Sequence, residues 1–123
     1  MIPIDDVRMA AARIASHVRR TPLVCADALK DNPYPNGTLM FKLECLQVTG
    51  SFKARGATNK LLSLTEEEIR RGIVTASGGN HGLATAYAGW LGKTRTTVYL
   101  PESASPEKAK KLEGWGAAVI VKG

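Results

Sequence analysis

Apolar residues near the N-terminus recur every three or four positions, which predicts an amphipathic helix from Ile4 to Val18 with Asp5 as its N-cap. Further along, the stretch DNPYPNG at residues 31–37 combines Pro, Asn and Gly and predicts a surface turn. The segment TLMFKLE that follows predicts a strand. The apolar face of the first helix is formed by Val7, Ala10, Ala11, Ile14 and Val18.

A second helical pattern begins after the loop CLQVTG and predicts a helix from Phe52 to Leu64. A shorter helix should follow, because Thr65 and Glu68 have the spacing of a capping box and Gly72 can end the helix. The repeated apolar positions of the longer helix are Ala54, Ala57, Leu61 and Leu64.

Strands and helices alternate regularly in the second half of the chain. The strands GIVTAS, TRTTVYLP and AAVIVKG are separated by the helices HGLATAYAGWLG and SPEKAKKLEGWG, the second with Ser105 and Pro106 at its start. This order predicts an α/β fold with a parallel sheet and flanking helices. The last strand has no following helix to cover it, so we expect a truncated chain. The expected core includes Tyr87, Trp90, Leu91 and Trp115.

Composition narrows the function classes. The 123 residues are enough for one domain, and the net charge of +6 comes from basic residues scattered singly or in pairs, which disfavours nucleic-acid binding. Cys25 and Cys45 form no CxxC pair and the chain has two histidines, so we expect no metal site. The start MIPIDDVR is unlike a signal peptide and no apolar run is long enough for a membrane span, which predicts a cytoplasmic protein.

The sequence TGSFKARGA places Lys53 in the first turn of a helix that Ser51 could cap. The helix dipole disfavours a cation there, whereas a neutral or covalently bound amine is not penalised. Two interpretations are open at this point. Lys53 could form an imine, or it could extend into solvent from an ordinary helix start.

A second loop, SGGNHG at residues 77–82, follows a strand and begins a helix. Its glycines let backbone N–H groups approach an anion beside the positive end of the helix. The loop matches neither a dinucleotide fingerprint nor a Walker loop. Anion binding and a plain tight turn both remain open, and His81 has no assigned role on this evidence.

Together, ECLQVTGSFKARGA and SGGNHG resemble the N-terminal motifs of the fold-type II pyridoxal phosphate (PLP) enzymes, nearest the threonine/serine dehydratase and serine racemase branch. RTPL at Arg20–Leu23 and VYLPESASPEKAKKLEGWGAAV extend the resemblance over nearly all of the chain. It implies the N-terminal part of a tryptophan synthase β-like fold. Residues 1 to about 50 would form an N-terminal segment, and residues from about 51 to 123 part of the small domain.

The resemblance also implies roles for individual residues. Lys53 would be the catalytic lysine that bonds to the PLP aldehyde and takes the Cα proton, Phe52 would pack against the cofactor ring, and Asn80 would hydrogen-bond the cofactor 3-hydroxyl. The implied reaction is β-elimination of water from L-threonine, L-serine or a related hydroxy amino acid, giving a 2-oxo acid and ammonia. The loop that receives the substrate carboxylate would consist of Ser77, Gly78, Gly79, Asn80 and His81.

Two departures from the family pattern qualify this hypothesis. Serine racemases have a second serine where this chain has Gly78, which disfavours racemisation. The family's phosphate-binding loop and its partner for the pyridine nitrogen lie downstream of the matched part, so we expect the chain alone to turn over little. The alternative is a non-catalytic module that binds a small anion or a partner chain. An exposed strand edge favours self-association of the chain as given, whereas a longer protein need not behave in this way.

Overall fold

The computed structural model describes residues 1–26, 29–31, 33–34 and 36–123. It contains an antiparallel pair of strands, a three-stranded parallel sheet, and helices that connect and flank them. The elements in chain order are α1 (Ile4–Ile14), β1 (Leu23–Cys25), β2 (Met40–Lys42), a 3-10 helix (Glu44–Leu46), α2 (Lys53–Leu61), α3 (Glu66–Arg71), β3 (Ile73–Ala76), α4 (Asn80–Leu91), β4 (Thr96–Leu100), α5 (Pro106–Glu113) and β5 (Ala118–Val121).

The N-terminal helix is shorter than its sequence pattern predicted. α1 ends at Ile14 rather than Val18, and Pro3 stands at its N-cap. The prediction that Asp5 caps the helix was wrong, because Asp5 lies inside the first turn and accepts a hydrogen bond from Arg8 at 3.0 Å. An acidic side chain in that turn still stabilises the helix, because it interacts favourably with the positive end of the helix dipole.

The strand expected at TLMFKLE forms only over Met40–Lys42, and its partner β1 was not predicted. Part of the predicted turn DNPYPNG, at residues 32 and 35, lies outside the described residues. Within the described part of that stretch, the Gly37 amide donates to the Tyr34 carbonyl at 3.0 Å. The two strands pair antiparallel, with Val24 opposite Phe41.

The parallel sheet confirms the predicted α/β class. Its strand order is β3-β4-β5, with Thr75 opposite Val98 and Val98 opposite Val119. α4 and α5 pack on one face of this sheet, because residues from both helices join β4 in the same core. That core cluster consists of Ala86, Val98, Leu100, Leu112 and Ala117.

The boundaries of α2 and α4 shift by one to three residues from the predicted ones. α2 begins one residue later and ends three residues earlier than predicted, and α4 begins at Asn80 rather than His81. The capping box of α3 is confirmed: the Thr65 hydroxyl accepts from the Glu68 amide, and the Glu68 carboxylate accepts from the Thr65 amide. Gly72 follows as the C-cap of α3.

Helix α2 packs against α4 along its length. Its buried residues are Ala54, Thr58 and Leu61, of which Thr58 was not predicted because it is polar. At the carboxyl ends of the two helices, a Cβ placed on Gly92 would lie 2.8 Å from Leu61 Cδ1. Lys53 and His81, near the amino ends, line one cavity. The two helices therefore run parallel, with their positive ends side by side.

Several apolar surfaces are uncovered. The sheet face opposite the helices presents Val74, Tyr99 and Ile120, with Val74 69% exposed. The expectation that Trp90 is a core residue was wrong: Trp90 is 57% exposed and stacks on the buried Tyr87 at 6.0 Å between ring centroids. The apolar face of α1 lines an open groove of about 660 Å³ rather than a closed core.

Two helix glycines allow a matched stability test. A Cβ at Gly89 would lie 1.7 Å from Thr96 Oγ1, whereas a Cβ at Gly56 would meet nothing within 4 Å. We expect Gly89→Ala to lower the free energy of unfolding by about 2 kcal/mol, because α4 must move away from β4. Gly56→Ala should raise it by about 0.5–1 kcal/mol, because alanine favours the helix. Urea unfolding checks both; equal effects would contradict the packing of α4 on β4.

Candidate active site

Lys53 lies in the first turn of α2, as the sequence indicated, although the helix begins at Lys53 rather than at Phe52. The Ser51 hydroxyl accepts a long hydrogen bond from the Lys53 amide at 3.4 Å, while Phe52 occupies the N-cap position. The Phe52 ring is 59% exposed, and the Lys53 amine lies 5.1 Å from its centroid. A primary amine thus stands beside an exposed aromatic ring at the positive end of a helix.

Lys53, Phe52 and His81 meet at one cavity of about 420 Å³. The cavity lies between the first turns of α2 and α4 and the strand β3, so residues far apart in the chain share it. Lys60 lines the same cavity, seven residues after Lys53 on the same face of α2. The other lining residues are Gly56, Ala57, Ile73, Val74, Thr75 and Thr85.

The loop 77–82 connects this cavity to a neighbouring one. Ser77 lines the second cavity, of about 380 Å³, together with Leu100 and Pro101 at the carboxyl end of β4. Gly79 is the N-cap of α4 and has open space around it, and Asn80 is the first, exposed residue of α4. The structure therefore places the loop at the carboxyl ends of parallel strands, where ligands bind in open α/β sheets.

Gly82 is a residue of this loop that sequence reasoning missed. A Cβ at position 82 would lie 1.9 Å from the Ser77 carbonyl oxygen, so the first turn of α4 packs directly on the start of the loop. The only sequence signal was the third glycine of SGGNHG. Gly82 is buried, and its lack of a side chain allows the first turn of α4 to approach the Ser77 carbonyl.

A second missed feature is an ion pair between α2 and the 3-10 helix. Arg55 binds the Glu44 carboxylate with both ends of its guanidinium, Nε to Oε2 at 2.9 Å and Nη2 to Oε1 at 2.7 Å. The Thr21 hydroxyl donates to the same carboxylate at 2.5 Å. The hydrogen bonds from Arg55 foremost, and then that from Thr21, lower the pKa of Glu44 from 4.5 to about 2, although burial opposes the shift.

Two absences hold for the part of the chain that the structure describes. It contains no group of three or more His, Cys, Asp or Glu side chains able to hold a metal ion. Its helices are also too short or too polar to cross a membrane.

Comparison with protein families finds that residues 14–123 match the family described as pyridoxal-phosphate dependent enzyme. Among curated relatives, the L-threonine dehydratase catabolic TdcB of Staphylococcus aureus (strain USA300) is 40% identical over all 123 residues of this chain. The match covers 35% of that protein, so the chain spans about a third of the length of such relatives.

Solved structures agree with this result. The serine racemase of Dictyostelium discoideum superimposes on 98% of this chain with a TM-score of 0.89 and 39% identity, and the match covers 38% of that protein. A threonine deaminase from T.th. superimposes on 99% of the chain with a TM-score of 0.84 and 36% identity, covering 37% of that protein. These similarities confirm the fold-type II architecture that the sequence motifs predicted.

The contact between Gly82 and Ser77 gives a test of the loop. We expect Gly82→Ala to displace the loop and lower the free energy of unfolding by about 2 kcal/mol, because the new methyl group overlaps a backbone carbonyl. Gly79→Ala is the matched control, since its Cβ enters open space. Amide hydrogen exchange across residues 77–82 should accelerate in the first variant alone. Equal acceleration in both variants would contradict the proposed contact.

The lowered pKa of Glu44 predicts a pH-dependent contribution to stability. Its folded pKa of about 2 lies below the ordinary 4.5, so the pair stabilises the fold fully above pH 4.5 and progressively less as the pH falls through 2. Glu44→Gln should lower the free energy of unfolding by about 2 kcal/mol at neutral pH. The difference from the wild type should shrink in acid. A stability difference that does not change with pH would refute the assignment of the lowered pKa to Glu44. Glu67→Gln is the control, because Glu67 forms an exposed pair with Arg71.

Proposed function

The chain belongs to the family of pyridoxal-phosphate dependent enzymes, and from this premise we propose that it provides the lysine-bearing part of an L-threonine or L-serine dehydratase. The observation that carries the proposal is the meeting of Lys53 and the SGGNHG loop at the adjacent amino ends of α2 and α4. The threonine dehydratase and threonine deaminase relatives support this substrate class.

The residues at the cavity fit an aromatic aldehyde with an acidic hydroxyl. Lys53 offers a primary amine beside open space, and the exposed Phe52 ring offers an apolar surface against which a flat ring could stack. Asn80 is exposed at the start of α4, where its amide could hydrogen-bond the cofactor 3-hydroxyl. We therefore propose Lys53, Phe52 and Asn80 as the cofactor-binding residues of this chain.

When bound, pyridoxal phosphate supplies an aldehyde for amines and a ring that stabilises negative charge on the substrate Cα. Lys53 would hold the aldehyde between turnovers and, once released as a neutral amine, take the proton from Cα. Loss of this proton together with the substrate β-hydroxyl would release water, and hydrolysis of the resulting unsaturated amine would yield a 2-oxo acid and ammonia.

The loop of Ser77, Gly78, Gly79, Asn80 and His81 would bind the substrate carboxylate. Its amides lie at the amino end of the twelve-residue helix α4, where the dipole favours an anion. Holding the carboxylate there would leave the substrate little freedom to rotate, so that the Cα–H bond can be directed at the Lys53 amine.

The surroundings of Gly78 favour elimination over racemisation. A Cβ at this position would lie 3.2 Å from Leu100 Cδ2, so a serine would need Leu100 to move. Glycine has no group that could deliver a proton to the opposite face of Cα. This packing supports the dehydratase proposal even though serine racemases are among the structural relatives.

The exposed apolar surfaces support a role as one part of a complete active site. Val74, Tyr99 and Ile120 lie on the sheet face that no helix of the described chain covers, and parallel sheets are normally buried on both faces. The curated relatives are about three times as long as the matched segment. In a protein of that length, further chain would bury these faces.

Four further proposals accompany this one. Residues 1 to about 50 would form an N-terminal segment and residues from about 51 to 123 part of the small domain. The protein would act in the cytoplasm and associate with copies of itself, as the uncovered apolar sheet face suggests. The chain alone would turn over little. The competing function is a non-catalytic module that binds a small anion or a partner chain.

The role of Lys53 is tested by mixing the chain with pyridoxal phosphate, reducing with borohydride and mapping the labelled peptides. We expect label to concentrate on Lys53, and Lys53→Ala to remove most of it. Lys60→Ala is the matched control, because Lys60 lines the same cavity on the same helix. Label spread evenly over surface lysines would favour the non-catalytic module instead.

The substrate class is tested by adding L- or D-threonine before the reduction. Both enantiomers react equally with free pyridoxal phosphate, because the cofactor is achiral, so a difference between them must arise from the protein. We expect L-threonine to protect Lys53 from labelling several-fold better than D-threonine, since the loop 77–81 would orient only one enantiomer. Equal protection would count against an L-amino-acid site.

A further inference from the structure

The first turn of α2 has weak local support. Phe52 at the N-cap makes no side-chain capping bond, and the hydrogen bond from the Lys53 amide to Ser51 Oγ is 3.4 Å long. The Ala54 amide reaches the Ser51 carbonyl at the same distance of 3.4 Å. Phe52 and Lys53 are both exposed, so packing does not fix them either. Ala54 of the same turn is fully buried and holds the turn against the fold, so the rotation of Phe52 and Lys53 about the helix axis depends on the remaining polar contacts.

Arg55 lies in that turn, two residues after Lys53, and a cation there is unfavourable for the helix itself. Its guanidinium is held by the two bonds to Glu44 and by longer bonds to the Arg19 carbonyl and the Thr21 hydroxyl, both 3.3 Å. A planar fork held at several points restricts rotation of the turn about the helix axis far more than a single contact does.

The residues that accept hydrogen bonds from the Arg55 guanidinium are themselves held in place by further hydrogen bonds. Gln47, which is buried, uses its side chain to bind both the Arg19 amide at 2.8 Å and the Arg19 carbonyl at 2.9 Å. Lys42 donates to the Thr21 carbonyl at 2.6 Å. Residues 19–21, the 3-10 helix and the first turn of α2 are therefore joined in one hydrogen-bonded network.

We propose that the Glu44–Arg55 pair is a positioning device that orients the first turn of α2 and directs the Lys53 amine into the cavity it shares with His81. This inference rests on the proposed role of Lys53 as the aldehyde-binding amine. Neither Glu44 nor Arg55 touches the reacting atoms in this scheme. They act through the backbone of α2, and their loss should affect Lys53 more than Lys60, which lies two turns further along the same helix.

The test compares labelling of two lysines within one molecule. The wild-type chain, Glu44→Gln and Arg55→Lys are each treated with pyridoxal phosphate and borohydride, and the ratio of label on Lys53 to label on Lys60 is measured. We expect each variant to lower this ratio at least about fivefold, because a small misplacement of a reacting group costs much of its rate advantage. Glu67→Gln, which removes the exposed Glu67–Arg71 pair, should leave the ratio unchanged.

Amide hydrogen exchange provides a second readout that does not depend on the cofactor. Residues 51–55 should exchange faster in Glu44→Gln while the amides of β4 keep their protection, which distinguishes local loosening from unfolding. If Glu44→Gln does not fold, the test relies on Arg55→Lys. This variant keeps the positive charge but cannot form the paired hydrogen bonds of the guanidinium.

The possible outcomes separate this inference from the proposed function. Selective labelling of Lys53 in the wild type with an unchanged ratio in the folded variants would overturn the positioning role and leave the proposed function standing. No selectivity in the wild type would overturn the proposed function, and the positioning role with it. A lowered ratio together with faster exchange at residues 51–55 would support both.

Discussion

Close packing of α2 on α4 is the contact on which the candidate site depends. It is possible because the buried face of α2 carries Ala54 and Thr58 instead of large side chains, and because Gly92 lets Leu61 approach the end of α4. Since the helices run parallel, the same contact brings their positive ends together. An amine on one helix and an amide-rich loop on the other then share a single cavity.

Two kinds of contact support this arrangement. The parallel sheet and its small-residue contacts with α4, notably Gly89 on Thr96, provide a rigid support for the loop 77–82. The first turn of α2 also contacts a polar network outside the sheet, centred on Glu44 and Arg55. The loop is thus held by packing, whereas the positioning that we propose for Lys53 adds hydrogen bonds and charge, so that each can be perturbed separately.

Much of this protein was determined by its sequence alone, because local patterns have local consequences. The alternation of strands and helices, the capping box at Thr65 and Glu68 and the place of Lys53 at a helix start all follow from near neighbours in the chain. The errors at this level were shifts of helix ends and the failure to predict strand β1. That strand has three residues, which are too few to show a pattern.

Only the tertiary structure decided which of these residues meet. The pairing of Glu44 with Arg55 and the exposure of Trp90 have no signature in the local sequence, and the contact of Gly82 with the Ser77 carbonyl is indicated there only by a third glycine. The reason is that such contacts depend on the relative placement of whole elements. A periodic pattern reports which face of a helix is apolar, but it does not report which neighbour will cover that face.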